Sequence, residues 1–391
     1  MESPPRILLV APYPVLPTWS GGKIRIVELA RRLARSGFEV CVLAPYKPGQ
    51  RRHHGAGDGF ALRQVAYPFV LPLLLTDRPF PYGYLVSFHP GYAAGLRRFL
   101  DSFDAYQLEH PFFGDLIEHL PRDRPIVYDA HNVEYDYVRS ECDRDAVSTF
   151  VGDRIRLLES DLARRASRVL VCSKPELERF VDLYDIRADK LRVLPNGVRR
   201  IVQPRSTNEA PPLGERLPEL AGFKRCAIFT GSNVAHNRQA ARFIIERIAP
   251  RLASEWAFVI HGTVCGALRD GRPTNVFLDP AYDGLARYAW PDVVGLNPVT
   301  QGGGTSLKLT LYLAHGMPVV STEFGVRGYD DLRPYVTVAP VDGLADALAS
   351  APALDPAVTG LLESYLWENV AADLAEIYRE LLEPATLATR S

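Results

Sequence analysis

The sequence predicts an α/β protein of two domains, each built around a parallel β-sheet. Short runs rich in β-branched and apolar residues alternate with segments of helical period, which is the pattern of βαβ units. The alternation begins at residue 6, stops in a polar, proline-rich stretch at 199–224 and starts again at residue 226. The length of 391 residues also exceeds the size at which one hydrophobic core usually keeps growing.

The first βαβ unit consists of a strand at 6–13, a helix at 21–37 and a strand at 39–46. Apolar residues of the helix recur at three- and four-residue spacing, the arginines are expected on the other face, and Gly37 stands where a C-terminal cap belongs. Further strands are predicted at 105–110, 126–132, 168–173 and 191–197, then at 226–232, 258–262, 275–279, 293–298 and 317–322, with a helix at 154–166.

The last predicted element is an amphipathic helix over 363–383, with Leu366, Val370, Leu374, Ile377 and Leu381 on one face. We therefore place the domains at 1–200 and 201–362. The C-terminal segment 363–391 is expected to pack back toward the first domain.

Charge and composition exclude some classes of function. The 45 basic and 46 acidic residues leave a formal charge of -1, which predicts no nucleic-acid partner. The five cysteines form no C-x-x-C pair and fit reduced cytosolic thiols. No signal peptide is evident, and the apolar stretch 66–75 is broken by prolines and far short of the ~20 residues that span a bilayer. We expect a cytoplasmic protein and leave open peripheral contact with a membrane.

The segment 297–328 carries the strongest chemical signal. Three glycines (Gly302, Gly303, Gly304), Thr305 and Ser306 lie between a strand and an amphipathic helix. Unpaired N–H groups at such a helix start suit a diphosphate, and Lys308 adds a full positive charge. The alternative is that the glycines only form a tight connection. The spacing is not that of a Walker loop, and no G-x-G-x-x-G opens the first domain, which disfavours a dehydrogenase.

A second group of candidates follows strands of the first domain. Gly21 and Gly22 stand between the first strand and its helix, where backbone can approach a ligand closely. Glu109 and His110 end one strand, and His131, Asn132 and Glu134 end the next. Simple helix-entry geometry for the glycines and a structural role for the histidine are the alternatives.

No protein-bound metal is predicted. Asp143, Arg144 and Asp145 form the D-x-D pattern that some sugar transferases use for a divalent ion, but they lie in a charged stretch that reads as a solvated face. No His/Cys cluster has zinc spacing.

Together these segments resemble glycosyltransferase family 4, the retaining transferases of the GT-B fold. The resemblance is carried by PYPVLPTWSGGKIRIVELARRLARSGFEVCVL, YDAHNVE, VLVCSKPELERF with LRVLPNGV, GSNVAHNRQAARFI, and most specifically by GGGTSLK through PVVSTEFGVRG. It implies two Rossmann-like domains facing across a central cleft. It also implies transfer of a sugar from a nucleoside diphosphate, UDP or GDP first, to an acceptor hydroxyl with retention and without an obligatory metal or other cofactor.

The resemblance also implies a role for each matching position. Gly21 and Gly22 would approach the donor diphosphate, His131 would contact the transferred sugar, and Lys308 would compensate the charge of the leaving group. Further donor contacts would come from Gly231, Ser232, Arg238, Gly303, Gly304, Thr305 and Ser306. Weaker candidates for the acceptor, a small molecule, glycan or lipid-linked group, are Glu109, His110, Asn132 and Glu134, and the aromatic segment 80–99.

The sequence departs from the family at two places. Many members have two glutamates eight positions apart where this chain has Gly303 and Leu311, and a basic pair after the first strand of the second domain is reduced to Arg238. Lys308, Arg238 or Arg327 would then balance the phosphate charge. Two other functions stay open: a nucleotide-sugar epimerase or hydrolase of the same fold, and a catalytically degenerate partner that binds nucleotide sugar.

Overall fold

The computed structural model describes residues 3–18, 20–46, 59–66, 97, 102–141, 146–202, 211–268, 271–280, 284–290, 292–350 and 353–383. They form two compact units. Unit 1 comprises the described residues up to Asn196 together with those from Trp367 onward, and unit 2 comprises Gly197–Leu366. The D-x-D residues 143–145 lie outside the described residues, as do segments 66–75 and 80–99 except for residues 66 and 97.

Over the described residues, the sheet of unit 1 has seven strands. They are β1 (Arg6–Val10), β2 (Glu39–Tyr46), β3 (Ala61–Ala66), β4 (Ala105–Glu109), β5 (Ile126–Ala130), β6 (Arg168–Val171) and β7 (Leu191–Val193). All pair in parallel, in the order β3-β2-β1-β4-β5-β6-β7. The order reverses between β1 and β4, and in sheets of this kind ligands bind beyond the carboxyl ends of the strands at such a point.

Helices cover both faces of this sheet, so its central strands are buried almost end to end. They are α1 (Gly21–Arg35), α2 (Glu134–Glu141), α3 (Ala146–Arg165) and α4 (Lys174–Tyr184), with 3-10 turns at Gly114–His119 and Ala188–Lys190. Helix α1 ends as predicted, because Gly37 takes a φ of +96° that other residues rarely adopt.

The prediction for the arginines of α1 was wrong in part. Arg25 and Arg32 are buried rather than on a solvated face. Their charges are compensated: Arg25 pairs with Asp129 of β5, and Arg32 pairs with Glu28 of its own helix. Helical spacing predicts which face of α1 is apolar, but it cannot predict that an arginine is buried beside an acidic partner about 100 positions away in the sequence.

Unit 2 repeats the architecture with six strands among its described residues. They are β8 (Arg225–Thr230), β9 (Trp256–His261), β10 (Val276–Asp279), β11 (Val293–Asn297), β12 (Val319–Ser321) and β13 (Thr337–Val338). The parallel order is β10-β9-β8-β11-β12-β13, which reverses between β8 and β11. The predicted α/β class and the two parallel sheets are confirmed. The short strands β3 and β13 were not predicted.

The helices of unit 2 are α5 (Leu213–Arg216), α6 (Ala235–Phe243), α7 (Leu307–Ala314), α8 (Leu344–Ala349) and α9 (Val358–Leu362). Helix α6 continues as a π-helical turn, Ile244–Ile248. Further 3-10 turns lie at Pro218–Leu220, Ala249–Leu252, Thr263–Ala267, Ala286–Tyr288, Phe324–Val326, Arg333–Tyr335, Val341–Gly343 and Glu363–Tyr365. No described helix is both long and apolar enough to cross a bilayer.

The chain then returns to unit 1 with helix α10 (Trp367–Leu382). Val370, Leu374 and Tyr378 join the core formed by β1 and α1, and Arg32 of α1 donates to Glu368 at 2.7 Å. Leu366, predicted on the same face, instead packs in the core of unit 2. The helix starts later than predicted because residues 363–365 form a 3-10 turn.

Candidate functional site

Buried ionisable side chains gather at the carboxyl ends of β1, β4 and β5 in unit 1. This is the edge at which the strand order reverses, where a ligand site is expected. The group consists of Arg25, Glu109, His110, Asp129, His131 and Glu134, each at most 7% exposed. So many buried charges require specific partners, because an unpaired buried charge is costly.

Arg25 and Asp129 form the fully paired centre of this group. The guanidinium donates from Nε and Nη2 to the two carboxylate oxygens over 2.9 and 2.7 Å. It also donates to Pro195 O at 3.1 Å. The guanidinium holds the pKa of Asp129 below its usual value even though burial acts in the opposite direction.

His131 lies against Glu109, with 2.7 Å between Nε2 and Oε2. Burial lowers the pKa of His131 to about 4, so the imidazole is neutral at physiological pH. Its other nitrogen, Nδ1, is buried and has no hydrogen-bond partner among the described residues. A buried, unpartnered ring nitrogen is the atom that a ligand would satisfy.

Gly22, in the first turn of α1, stands directly over that nitrogen. A β-carbon added to Gly22 would lie 3.0 Å from His131 Nδ1 and would collide with Tyr13 Oη. Gly21 precedes it as the first residue of the helix. The absence of a side chain at Gly22 therefore lets Tyr13 Oη and His131 Nδ1 lie close against the first turn of α1.

His110 is held in a second network beside His131. Its Nδ1 lies 2.6 Å from Glu134 Oε1, and its Nε2 lies 2.9 Å from Tyr13 Oη. Asn132 also donates to Glu134 Oε1, at 2.8 Å. The backbone of His110 has a φ of +69°, a strained conformation for this residue type and one found mainly where the surrounding structure enforces it.

Glu109, Asp129 and His131 also place three potential metal-ligand atoms within 4.8 Å of one another. These atoms are already engaged, since Asp129 accepts from Arg25 and Glu109 contacts His131. A cation there would have to displace the Arg25 guanidinium. The donor set therefore favours a network held by hydrogen bonds, and the expectation of no bound metal stays a proposal.

In unit 2 the corresponding edge is formed by the ends of β8 and β11. The turn before α7 requires glycine, because Gly302 and Gly304 have φ values of +130° and +59°. Buried Asn297, at the end of β11, donates to Ser306 Oγ at 3.2 Å and to Gly325 O at 3.1 Å. Asn297 thereby ties the start of α7 to the loop that follows β12.

Lys308, in the first turn of α7, brings a positive charge to this edge. Its Nζ lies 5.5 Å from the centre of the Phe229 ring of β8 and has no hydrogen bond or ion pair within the part of the chain that the structure describes. Burial, and secondarily the charge of Arg327, lower the pKa of Lys308 to about 8. Arg327 itself donates to Gly303 O at 2.7 Å.

Gly231 and Ser232 lie in the loop after β8, and Arg238 lies in helix α6. Gly231 N donates to His261 O, Ser232 O accepts from Asn237, and Arg238 donates to Asn233 Oδ1 at 3.1 Å. Helix α6 comes close to the glycine turn, since a β-carbon on Gly302 would lie 3.4 Å from His236 Nδ1. The start of α6 thus approaches the loop that leads into α7.

Residues 20–197 match the family model for a glycosyl transferase 4-like domain. Unit 1 therefore contains a glycosyl transferase 4-like domain, and the chain is a glycosyltransferase. No curated protein sequence matches it significantly.

Solved structures similar to this glycosyltransferase show its fold to be GT-B. Sucrose-phosphate synthase from Thermosynechococcus elongatus is 15% identical with a TM-score of 0.70, over 96% of this chain and 99% of that chain. Anabaena HepE in complex with UDP is 14% identical with a TM-score of 0.64, over 96% and 100%. A UDP-forming trehalose-phosphate synthase from Burkholderia xenovorans is 13% identical with a TM-score of 0.65, over 98% and 100%.

The predicted site residues of unit 1 lie together at one edge of its sheet: Gly21, Gly22, Glu109, His110, His131, Asn132 and Glu134. In unit 2, Gly303, Gly304, Thr305, Ser306 and Lys308 lie at the start of α7. Gly231, Ser232 and Arg238 lie in the loop after β8 and in α6, whose His236 approaches Gly302. Glu109, expected to contact an acceptor, has both oxygens engaged by Gln107 and His131.

Sequence reasoning missed the residues that hold these groups in place. These residues are Arg25, Tyr13 and Asn297, whose side chains make the supporting contacts. An arginine in a helix, a tyrosine in a loop and an asparagine at a strand end are all common, so their residue types gave no warning of these contacts. The one usable signal was Asn297, a polar residue that ends a fully buried strand. Leu311, at the position of the family's second glutamate, packs partly buried against the core of unit 2.

Proposed function

We propose that this glycosyltransferase moves a sugar from a nucleoside diphosphate sugar, UDP-sugar first and GDP-sugar second, to an acceptor hydroxyl. Transfer proceeds with retention of anomeric configuration and without an obligatory metal, in glycan or natural-product biosynthesis. The observation that carries the proposal is the ammonium of Lys308, which has no anionic partner among the described residues and sits in the first turn of α7.

A diphosphate supplies what the site in unit 2 lacks. The first N–H groups of a helix carry partial positive charge, and Lys308 adds a full charge close to Arg327. Holding two cations near each other is unfavourable unless an anion binds. The backbone of Gly303 and Gly304, with Thr305 and Ser306, offers hydrogen bonds to phosphate or sugar, and Gly231, Ser232 and Arg238 offer further donor contacts.

Unit 1 supplies groups for the reacting sugar. His131 Nδ1 is an unpartnered hydrogen-bonding atom beside Gly22, so a sugar or phosphate oxygen can bind there. His110, Asn132 and Glu134 form the adjacent network and are assigned to the acceptor, a small molecule, glycan or lipid-linked hydroxyl. Retention is proposed from the resemblance to family 4.

The two positive charges take the place of a metal in this proposal. As the sugar departs, charge grows on the terminal phosphate, and preorganised cations stabilise it more strongly than water does. The anion site fits any nucleoside diphosphate, and the choice of UDP is supported by the UDP complex of the structurally similar HepE.

The test combines binding with turnover. UDP, GDP, dTDP and ADP sugars are screened by thermal shift, where a ligand at 100 times its dissociation constant stabilises by about 2.7 kcal/mol. The nucleotide that shifts the melting temperature is then used for turnover with and without EDTA, and the anomeric proton of the product is read by NMR. Lys224→Ala, which removes an exposed lysine of unit 2, is the control for Lys308→Ala.

The expected result is one selective shift, a retained anomer and turnover that survives EDTA. Binding of a nucleotide sugar with no turnover for any acceptor would support a catalytically degenerate partner, which the apolar Leu311 favours. Release of free sugar without an acceptor would support a hydrolase. No shift with any of the four sugars would contradict the proposal.

A further inference from the structure

A buried hydrogen-bond chain connects helix α10 to His131. Tyr378 Oη donates to Gln107 Oε1 at 2.8 Å, and Gln107 Nε2 donates to Glu109 Oε1 at 2.7 Å. Glu109 Oε2 then lies 2.7 Å from His131 Nε2. Tyr378, Gln107 and Glu109 are fully buried, so water does not compete for these bonds.

The direction of this chain follows from Tyr378. Among the described residues, the acceptor for its hydroxyl proton is Gln107 Oε1. If the amide were turned round, Gln107 would offer an N–H to Tyr378 and the hydroxyl proton would be left without an acceptor. The amide N–H₂ therefore faces Glu109, and Glu109 Oε1 acts as an acceptor.

Within the described part of the chain, Glu109 forms no ion pair with an arginine or a lysine, and the nearby Arg25 is directed at other acceptors. Arg25 gives two donors to the oxygens of Asp129 and another to Pro195 O. Burial, reinforced by the nearby charge of Asp129, raises the pKa of Glu109 well above its usual value. A buried carboxyl beside a second, paired carboxylate keeps its proton, and both Asp129 and His131 Nε2 lie within reach as acceptors. Both oxygens of Asp129 already accept from Arg25, which favours His131.

We propose that Glu109 is a neutral carboxylic acid that donates from Oε2 to His131 Nε2, and that Gln107 and Tyr378 are positioning residues that fix this direction. The proton of the imidazole then resides on Nδ1. The Nδ1–H is then on the side of the ring where Gly22 and Tyr13 lie, and it is the donor that we assign to a sugar or phosphate oxygen of the substrate. The consequence for turnover rests on the proposed function, whereas the protonation pattern does not.

The first measurement is the tautomer of His131 in the full-length protein. Long-range proton–nitrogen NMR spectra of ¹⁵N-histidine-labelled protein distinguish a protonated ring nitrogen from an unprotonated one, and His131→Gln identifies the resonance by its loss. We expect a protonated Nδ1 and an unprotonated Nε2. A protonated Nε2 in the wild-type protein would overturn the proposal.

Two substitutions at position 109 separate an acid from a carboxylate. Glu109→Gln offers an amide N–H₂ in place of the O–H, so it preserves the donor to Nε2 and is expected to keep the Nδ1–H tautomer. Glu109→Leu offers no hydrogen-bond donor to Nε2, so it is expected to change the tautomer of His131. If Glu109 instead acts as an ionised acceptor, Glu109→Gln will alter the His131 resonances as strongly as Glu109→Leu does. That result would contradict the proposal that Glu109 is a neutral donor.

Tyr378→Phe tests the far end of the chain. We expect a second His131 tautomer to become populated, because Gln107 is free to turn round. Tyr365→Phe is the matched control, since it removes a buried tyrosine hydroxyl bond of 2.8 Å to Asp331 in unit 2. An unchanged His131 spectrum in Tyr378→Phe would remove Tyr378 from the relay.

Turnover provides the second readout. Glu109→Gln is expected to be at least tenfold faster than Glu109→Leu, and Tyr378→Phe to lower kcat with KM nearly unchanged. If the tautomers behave as expected but the wild-type protein transfers no sugar, the relay stands and the proposed function fails. If turnover is present but Glu109→Gln and Glu109→Leu are equally slow, the role of the neutral acid in transfer fails.

Discussion

Arg25 donates two parallel hydrogen bonds to Asp129, from Nε and Nη2 to the two carboxylate oxygens, and both side chains are buried. The pair joins the first turns of α1 to the end of β5, two elements that 104 residues of sequence separate. It lies under His131, whose Nε2 is 3.7 Å from Asp129 Oδ2. The pair therefore sets the frame for the site in unit 1.

Removing one member of this pair is expected to destabilise unit 1 strongly, and removing both is expected to cost less than the sum of the two single losses. Arg25→Met or Asp129→Leu leaves an unpaired buried charge and should cost about 3–5 kcal/mol, while the double variant should lose clearly less than the sum. Hydrogen exchange of unit 1 peptides across a urea series measures this. Arg333→Ala, which breaks an exposed pair with Glu323, is the control and is expected to change stability little. Strictly additive losses would contradict the pairing argument.

Lys308→Ala is expected to lower turnover at least tenfold, roughly 1.4 kcal/mol of transition-state stabilisation, with the fold intact. The reason is that the growing charge on the leaving phosphate loses its closest cation. Folding should not suffer, because the folded state lowers the pKa of Lys308 and so disfavours its charged form. Lys224→Ala should leave turnover unchanged. A Lys308→Ala variant with normal kcat would remove this lysine from the reaction.

Nucleotide affinity should depend on pH through the same side chain. With a pKa of about 8 in the free protein, Lys308 is charged below pH 8 and loses its proton above it. The dissociation constant of the nucleoside diphosphate should change little between pH 7 and 7.5. Above pH 8 it should rise, approaching a tenfold increase for each pH unit. Titration calorimetry at several pH values measures this. Lys308→Arg stays charged, so its affinity should stay level over the same range.

Gly22→Ala should impair the site in unit 1 without unfolding it. The new methyl group would collide with Tyr13 Oη and approach His131 Nδ1, so Tyr13 must leave His110 and the surroundings of Nδ1 change. We expect KM for the donor to rise about tenfold or more, with a melting temperature within a few degrees of wild type. Gly152→Ala is the control, because its methyl group would make only an ordinary contact, 4.0 Å from Tyr135. Equal kinetics in the two variants would refute a role for Gly22.

The sequence predicted the larger elements because their signals are local. Alternating apolar runs located eleven strands to within a few residues, and Gly37 marked the end of α1. Strands β3 and β13 escaped because one lacks a strong apolar run and the other has only two residues. The end of a strand is also local, which is why Glu109, His131 and the turn at Gly302 could be found.

The supporting contacts could not be predicted because they depend on residues far apart in sequence. In the sequence, Arg25 looks like any other arginine of an amphipathic helix, and its neighbouring residues do not indicate that it pairs with Asp129. Tyr378 reads as a core residue of the last helix, and its bond to Gln107 spans 271 positions. The positive φ of His110 could not be predicted either, because few residues other than glycine adopt it and no neighbouring residue in the sequence marks the position.

In the sequence, unit 2 is inserted between two parts of unit 1. The first and last residues of unit 2 lie side by side, because Val198 pairs with Leu366 and Val198 N donates to Tyr365 O at 2.7 Å. A ribosome delivers the chain from its amino end, so all of unit 2 is synthesised before Val370, Leu374 and Tyr378 can cover the apolar side of α1. The second unit in sequence is therefore expected to fold first during translation. The nascent first unit keeps that side exposed until α10 emerges, which is the interval when a chaperone would bind it.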